Sequence, residues 1–223
     1  AFQFGLSYES LKLKPGPYAP QRVHDFITDH GDKYESLKMN LSWVRDTTNH
    51  AFFPTTGRRQ EAALEATIPG SDLELYKTSY SVKQFLPISK KLVFTLEGSL
   101  AYGNGYGKFK KLPFFENFYA GGISSVRGYR SNSLGPGSEV RDPLGGNARV
   151  LASAELIFPM PFVDLDSVRL TTFVDAGNVY DTDIGINLSE LRTSAGVSLV
   201  WMSPLGALTL SMAKPLNSQP YDK

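Results

Sequence analysis

One arginine stands out among the residues that could do chemistry, because it lies in a stretch of small residues. In GGISSVRGYRSNSLGP (121–136), Arg127 lies between Val126 and Gly128, and Tyr129 follows directly. A guanidinium presents a planar fork of donors that matches a carboxylate, and an unpaired buried charge is very costly. If this stretch packs inside the protein, Arg127 therefore requires an acidic partner.

Two carboxylates on adjacent predicted strands are placed to pair with this arginine. Glu155 lies in NARVLASAELIF (147–158) and Asp175 lies in SVRLTTFVDAG (167–177). Alternate residues form a polar and an apolar face in both segments, and each carboxylate falls on the polar face. Two carboxylates could act as general acid and base, but no nucleophilic Ser, His or Thr motif accompanies them. The sequence favours an ion pair with Arg127, and we expect no enzymatic activity.

Composition gives little basis for metal, thiol or nucleic-acid chemistry. The chain has 223 residues and no cysteine, and its 23 Lys and Arg nearly balance its 22 Asp and Glu, for a net charge of +1. Its three histidines, His24, His30 and His50, are scattered among loop segments, whereas a metal site requires convergent ligands. We therefore expect no metal, no cofactor and no nucleic-acid partner.

The same period-two alternation recurs along the chain and predicts about nine strands. The predicted strands are 2–9, 36–43, 61–68, 75–85, 91–102, 147–158, 167–177, 191–202 and 207–213. Between the first two strands, Val23, Phe26 and Ile27 follow a helical spacing, which predicts a short helix within a loop. The fold class is therefore all-β.

Two all-β architectures are compatible with this alternation. A soluble β-sandwich also has strands with one apolar face. However, several predicted strands have ten residues or more, whereas strands in globular proteins average about five or six. Their polar faces also carry many charges, which suits the wet interior of a membrane barrel better than a dry core. These charges are Lys77, Lys83, Lys91, Glu97, Arg149, Glu155, Arg169, Asp175 and Arg192.

Connection lengths point to the membrane barrel as well. Short turns at 86–91 and 203–206 alternate with long connections at 10–34 and 103–146, the pattern of outer-membrane barrels with short periplasmic turns and long extracellular loops. The segment 112–122 is too rich in Phe and Tyr for a disordered loop. We therefore predict a transmembrane antiparallel β-barrel, with the loop 103–146 folded into its lumen.

Aromatic residues near the predicted strand ends are typical of the girdles that lie at membrane interfaces. The residues are Tyr8, Trp43, Phe85, Tyr102, Phe158, Tyr180 and Trp201. The last of them begins a predicted strand end and tight turn made by Trp201, Met202, Ser203, Pro204 and Gly206. Proline and glycine have ordinary turn roles there, and we expect Trp201 to be an interfacial anchor.

The segment FYAGGISSVRGYRSNSLGP (118–136) resembles the sixth extracellular loop of the BamA family of outer-membrane protein assembly factors. The family's VRG[FY] element corresponds to Val126, Arg127, Gly128 and Tyr129. The resemblance continues through 52–72, 145–162, 173–181 and 194–216. In this family, the loop arginine contacts acidic residues of neighbouring strands inside the barrel. The resemblance therefore also implies that Arg127 pairs with Glu155 and Asp175.

The resemblance has further implications for the whole protein. It implies insertion and folding of β-barrel proteins in the bacterial outer membrane, with unfolded outer-membrane proteins as clients and accessory lipoproteins as partners. Family members carry POTRA modules before a barrel of about sixteen strands. We expect 1–223 to be a single C-terminal barrel portion without those modules, the first strands or the last strand. The alternatives are a related translocation or secretion transporter and a passive porin.

Overall fold

The computed structural model describes residues 1–17, 19, 21–136, 144–160, 167–204, 206–219 and 222. Within this part of the chain it contains nine strands, which confirms the predicted number. The strands are β1 (Phe2–Lys12), β2 (Lys33–Asp46), β3 (Gly57–Thr67), β4 (Leu75–Pro87), β5 (Val93–Gly105), β6 (Ala148–Pro159), β7 (Val168–Tyr180), β8 (Arg192–Ser203) and β9 (Gly206–Pro215).

All nine strands belong to one antiparallel sheet in which each strand pairs with its neighbour in the sequence, from β1 to β9. The strands have 10 to 14 residues. A β-sandwich would divide its strands between two packed sheets. The described strands therefore have the architecture predicted for part of a barrel wall.

The two faces of the sheet differ in the way that the alternation predicts. The outer face is apolar and exposed: Phe2 has 78% of its surface accessible and Met212 has 73%. The inner face carries Lys38, Lys77 and Asp175, all of which form ion pairs. An extensive exposed apolar face is suited to contact with lipid rather than with water.

Two of the aromatic residues predicted for the interfacial girdles lie elsewhere. Phe85 is buried and lies 5.9 Å from the Lys83 ammonium, measured to the ring centroid. It faces inward because it shares the parity of Lys83 on β4. Tyr180 is also buried, at the end of β7. By contrast, Tyr8 and Trp201 are exposed, as the girdle prediction requires.

Long and short connections lie at opposite ends of the strands. The long end includes the connection from β5 to β6, of which 137–143 lie outside the described residues. It also includes the predicted helix, α1 (Gln21–His30), whose Phe26 ring lies 5.4 Å from that of Phe114 and 5.8 Å from that of Phe115. No helix in the described residues is both long enough and apolar enough to span a membrane.

Candidate functional site

The loop between β5 and β6 packs against the inner face of the sheet. Two isolated bridges, Phe118 to Gly146 and Ala120 to Leu134, hold the loop together. A small apolar cluster then joins it to the sheet. The cluster consists of Ala120, Val126, Tyr129, Leu134 and Val179, all buried. This packing positions the segment that contains Arg127.

Arg127 lies between the two carboxylates that the sequence singles out. Its Nη2 donates to Glu155 Oε1 at 2.8 Å and to Asp175 Oδ1 at 2.7 Å. Its Nε donates to Asp175 Oδ2 at 2.7 Å, and its backbone N–H donates to the same oxygen at 3.1 Å. The guanidinium therefore binds Asp175 through both carboxylate oxygens and reaches Glu155 with the same group, a geometry that favours arginine over lysine.

Both partners of the ion pair are shielded from water. The Arg127 side chain is 15% exposed and that of Asp175 is 1% exposed. Burial by itself would lower the pKa of the Arg127 guanidinium, but the hydrogen bonds and charges of Asp175 and Glu155 raise it above its ordinary value. Arg127 therefore remains charged, and its charge is balanced within the site.

Two residues that the sequence analysis did not indicate complete the site. Ser153 Oγ donates to Asp175 Oδ1 at 2.7 Å and accepts from Arg127 Nη2 at 3.2 Å. The Phe173 ring lies under the guanidinium, 3.4 Å from its central carbon. Ser153 is two residues from Glu155 and Phe173 two from Asp175, so strand alternation places both on the face of the carboxylates. This shared strand parity is the feature of the sequence from which both residues can be identified.

The neighbours of Arg127 each satisfy a separate packing requirement. Val126 is fully buried and packs over Gly177, where an added Cβ would lie 3.0 Å from Val126 Cγ2. The Tyr129 hydroxyl donates to the Thr193 carbonyl at 2.9 Å. These contacts fix the chain on either side of the guanidinium, so the whole VRGY segment is held against the inner face.

Replacing Gly128 by alanine is expected to destabilise the seated loop by about 1–3 kcal/mol. Gly128 has a φ of +92°, and an added Cβ would lie 3.1–3.3 Å from atoms of Ala213. The left-handed backbone and the close contact both oppose a side chain. Urea unfolding in detergent micelles measures the cost. Gly5→Ala is the matched control, because no atom lies within 4 Å of its added Cβ, and an equal cost for the two variants would contradict the prediction.

The predicted turn at Trp201 to Gly206 lies at the short-connection end of the strands, between β8 and β9. Ser203 ends β8 and Gly206 begins β9 with a φ of +124°. The Ser203 hydroxyl donates to the Gly206 carbonyl at 2.8 Å, and the Met202 N–H donates to the Ser167 carbonyl at 2.8 Å. With Pro204 between them, these residues form a tight hairpin. Trp201 is 46% exposed on the outer face, where an interfacial anchor would lie.

Comparison with known proteins gives concordant results for sequence and structure. All of residues 1–223 match the model of the Omp85 superfamily domain. The chain is 37% identical to the outer membrane protein assembly factor BamA of Neisseria meningitidis serogroup B, over 99% of this chain and 32% of that protein. It is 30% identical to a SAM50-like protein of Schizosaccharomyces pombe, over 84% of this chain and 42% of that protein.

A solved structure extends the likeness to the fold. The crystal structure of BamA from Haemophilus ducreyi lacking POTRA domains 1–3 superposes with a TM-score of 0.86 at 30% identity, covering 100% of this chain and 49% of that one. The chain thus spans only about a third to a half of the length of these relatives. Together with the apolar outer face, this match shows that the sheet is a portion of a transmembrane β-barrel.

Proposed function

Because the chain belongs to the Omp85 superfamily, we propose that it acts in an outer-membrane β-barrel assembly factor. The protein binds unfolded outer-membrane proteins as clients and promotes their folding and insertion into the bilayer, without an enzymatic step. Its relatives named BamA are bacterial, whereas SAM50-like relatives are eukaryotic. The greater identity to BamA supports a bacterial outer-membrane location. We propose accessory lipoproteins as further partners.

The observation that carries this proposal is the seating of the loop on the inner face. Arg127 binds Glu155 and Asp175, two carboxylates that would otherwise line the lumen. A passive porin requires an open, charge-lined constriction for solutes, whereas here the loop neutralises those charges. Such a loop stabilises the barrel wall and does not line an open path for solutes.

The physical basis for insertion lies in the hydrogen bonding of the backbone. In hydrocarbon, the N–H and C=O groups of a strand edge cannot remain unpaired. A barrel that opens one of its seams therefore offers an incoming strand a partner by β-augmentation. In this proposal the seated loop keeps the wall around Arg127 rigid while a seam opens elsewhere.

Reconstitution of the protein at its natural length tests this function. Phospholipid vesicles containing the protein are mixed with a urea-unfolded outer-membrane β-barrel protein, and folding is followed by its heat-dependent electrophoretic mobility. Folding faster than in empty vesicles is expected, and Arg127→Ala should reduce the acceleration, with the exposed Arg58→Ala as the matched control. Vesicles that conduct solutes without accelerating folding would instead indicate a porin. Passage of a secreted polypeptide without folding would indicate a transporter.

A further inference from the structure

The loop touches the inner face at a second charged cluster, ahead of Arg127 in the chain. Glu116 Oε1 lies 3.1 Å from Lys38 Nζ, and Glu116 Oε2 lies 3.0 Å from Lys77 Nζ. The Glu116 side chain is only 12% exposed. Each oxygen of this buried carboxylate thus binds one lysine, and the two lysines come from different strands, β2 and β4.

Local structure aims Glu116 at these lysines. It is the last residue of a short 3₁₀-helix, Phe114–Glu116, that follows Pro113. The Glu116 N–H donates to the Pro113 carbonyl at 2.9 Å. The rings of Phe114 and Phe115 pack against Phe26 of α1. The aromatic contacts hold one side of this turn, and the carboxylate extends from it to the wall.

Phe118 adds a second type of contact to the same cluster. Its ring centroid lies 5.4 Å from the Lys77 ammonium and 5.7 Å from the Arg149 guanidinium carbon, within the range of cation–π attraction. Its backbone pairs with Gly146 through hydrogen bonds of 2.8 and 2.9 Å. Lys77 therefore binds the loop twice, through the Glu116 carboxylate and through the Phe118 ring.

The charges of the wall depend unequally on Glu116. Lys38 also lies 2.6 Å from Glu9 and 3.4 Å from Glu65, so it keeps carboxylate partners when Glu116 is neutral. In contrast, the ion pair that Lys77 forms within the described residues is the one with Glu116. Neutralising Glu116 should therefore release the loop from Lys77 without stripping Lys38 of its counter-charges.

We propose that these residues form a second anchor for the loop, which holds independently of Arg127 and has the opposite polarity. The amino-terminal anchor is Glu116 and Phe118 of the loop with Lys38, Lys77 and Arg149 of the wall. The arginine anchor is Arg127 with Ser153, Glu155, Phe173 and Asp175. In one the loop supplies the anion, and in the other it supplies the cation.

Opposite polarity makes docking directional. A displaced loop that brought Glu116 towards Asp175, or Arg127 towards Lys77, would oppose like charges in a site of low exposure, where their repulsion is only weakly screened. The wall thus presents Lys38 and Lys77 to Glu116, and it presents Glu155 and Asp175 to Arg127. This charge pattern specifies one position for the loop along the inner face.

The link between the anchors supports their independence. Residues 119–125 join them and include Gly121 and Gly122, whose φ angles are +105° and +91°. Glycine adopts this backbone without strain. The Gly121 N–H donates to Ser125 Oγ at 2.8 Å, so the link keeps a hydrogen bond of its own when either anchor is released.

Hydrogen–deuterium exchange of the protein at its natural length tests this proposal. In Glu116→Gln, the amides of Phe118 and Gly146 are expected to exchange about tenfold faster, because the neutral amide keeps the shape of the side chain but loses the charge-assisted hydrogen bonds to Lys38 and Lys77. The backbone amide of residue 127, which donates to Asp175 within the arginine anchor, should keep its rate. Lys77→Gln should reproduce the pattern, and Arg127→Ala should reverse it.

Glu97→Gln is the matched control, because that carboxylate binds Lys83 on the neighbouring strand. Unchanged exchange at Phe118 and Gly146 in Glu116→Gln would overturn the second anchor. Equal acceleration at the amides of residues 118 and 127 would overturn its independence and make the loop one cooperative unit. The exchange rates do not depend on client insertion. The exchange experiment can therefore support the two anchors while the vesicle experiment contradicts the proposed function, and it can contradict the anchors while that function holds.

Discussion

Replacing Arg127 by alanine is expected to lower the free energy of unfolding by about 3–5 kcal/mol. The variant would leave Asp175, whose side chain is 1% exposed, without its cation. It would also remove the four hydrogen bonds that the Arg127 side chain donates to Asp175, Ser153 and Glu155. When a buried carboxylate loses its counter-charge, the free-energy cost of its desolvation is no longer offset. The loop should therefore detach from the wall at this anchor.

Equilibrium unfolding by urea in phospholipid vesicles measures this loss. Arg58→Ala, at an exposed position, serves as the control and should change stability little. Arg127→Lys should fall between the wild type and the alanine variant, because an ammonium keeps the charge but cannot present the guanidinium's planar fork. A midpoint for Arg127→Ala equal to that of Arg58→Ala would mean that the ion pair contributes nothing to stability.

The two carboxylates should differ in their importance, with Asp175→Ala costing about 3 kcal/mol and Glu155→Gln about 1 kcal/mol. Asp175 accepts from the backbone and side chain of Arg127 and from Ser153. Glu155 accepts from Arg127 at 2.8 Å and makes only longer contacts of 3.4 Å with Thr95 and 3.7 Å with Lys83. The same unfolding measurement ranks the two variants, and equal losses would contradict this unequal sharing.

A double-mutant cycle adds a control for this second prediction. Arg127→Ala combined with Asp175→Ala removes both buried charges, so it should cost less than the sum of the single changes by about 2 kcal/mol. Additive costs would mean that the two residues stabilise the loop separately. The ion pair would then be a coincidence of packing.

The strands and the arginine anchor could be predicted from sequence because both depend on local alternation. Parity along β6 and β7 determines that Glu155 and Asp175 share a face, and the register pairs Ser153 with Asp175 and Glu155 with Phe173. The surroundings of Arg127 follow from that register. Ser153 and Phe173 were therefore within reach of the same reasoning.

The amino-terminal anchor was beyond sequence reasoning for a physical reason. Glu116 lies 78 residues from Lys38 and 39 from Lys77, and, unlike Arg127, it has no surrounding motif of small residues that singles it out as a buried charge. Its position depends on the path of the loop, which the aromatic packing around Phe26 directs. Phe85 departs from the girdle prediction because its parity with Lys83 places it on the inner face, although it lies near a strand end.

The sequential order of the sheet has a consequence for the path by which the protein folds. Each strand pairs only with its chain neighbour, so the sheet can grow one hairpin at a time at a low entropic cost of chain closure. The loop contacts differ, because Glu116 requires β2 and β4 to be already joined through β3, and Arg127 requires β6 and β7 to be already paired. Contacts between residues that are far apart in the sequence form late in folding. A docked loop therefore indicates that the strands of the wall have already paired in their native register.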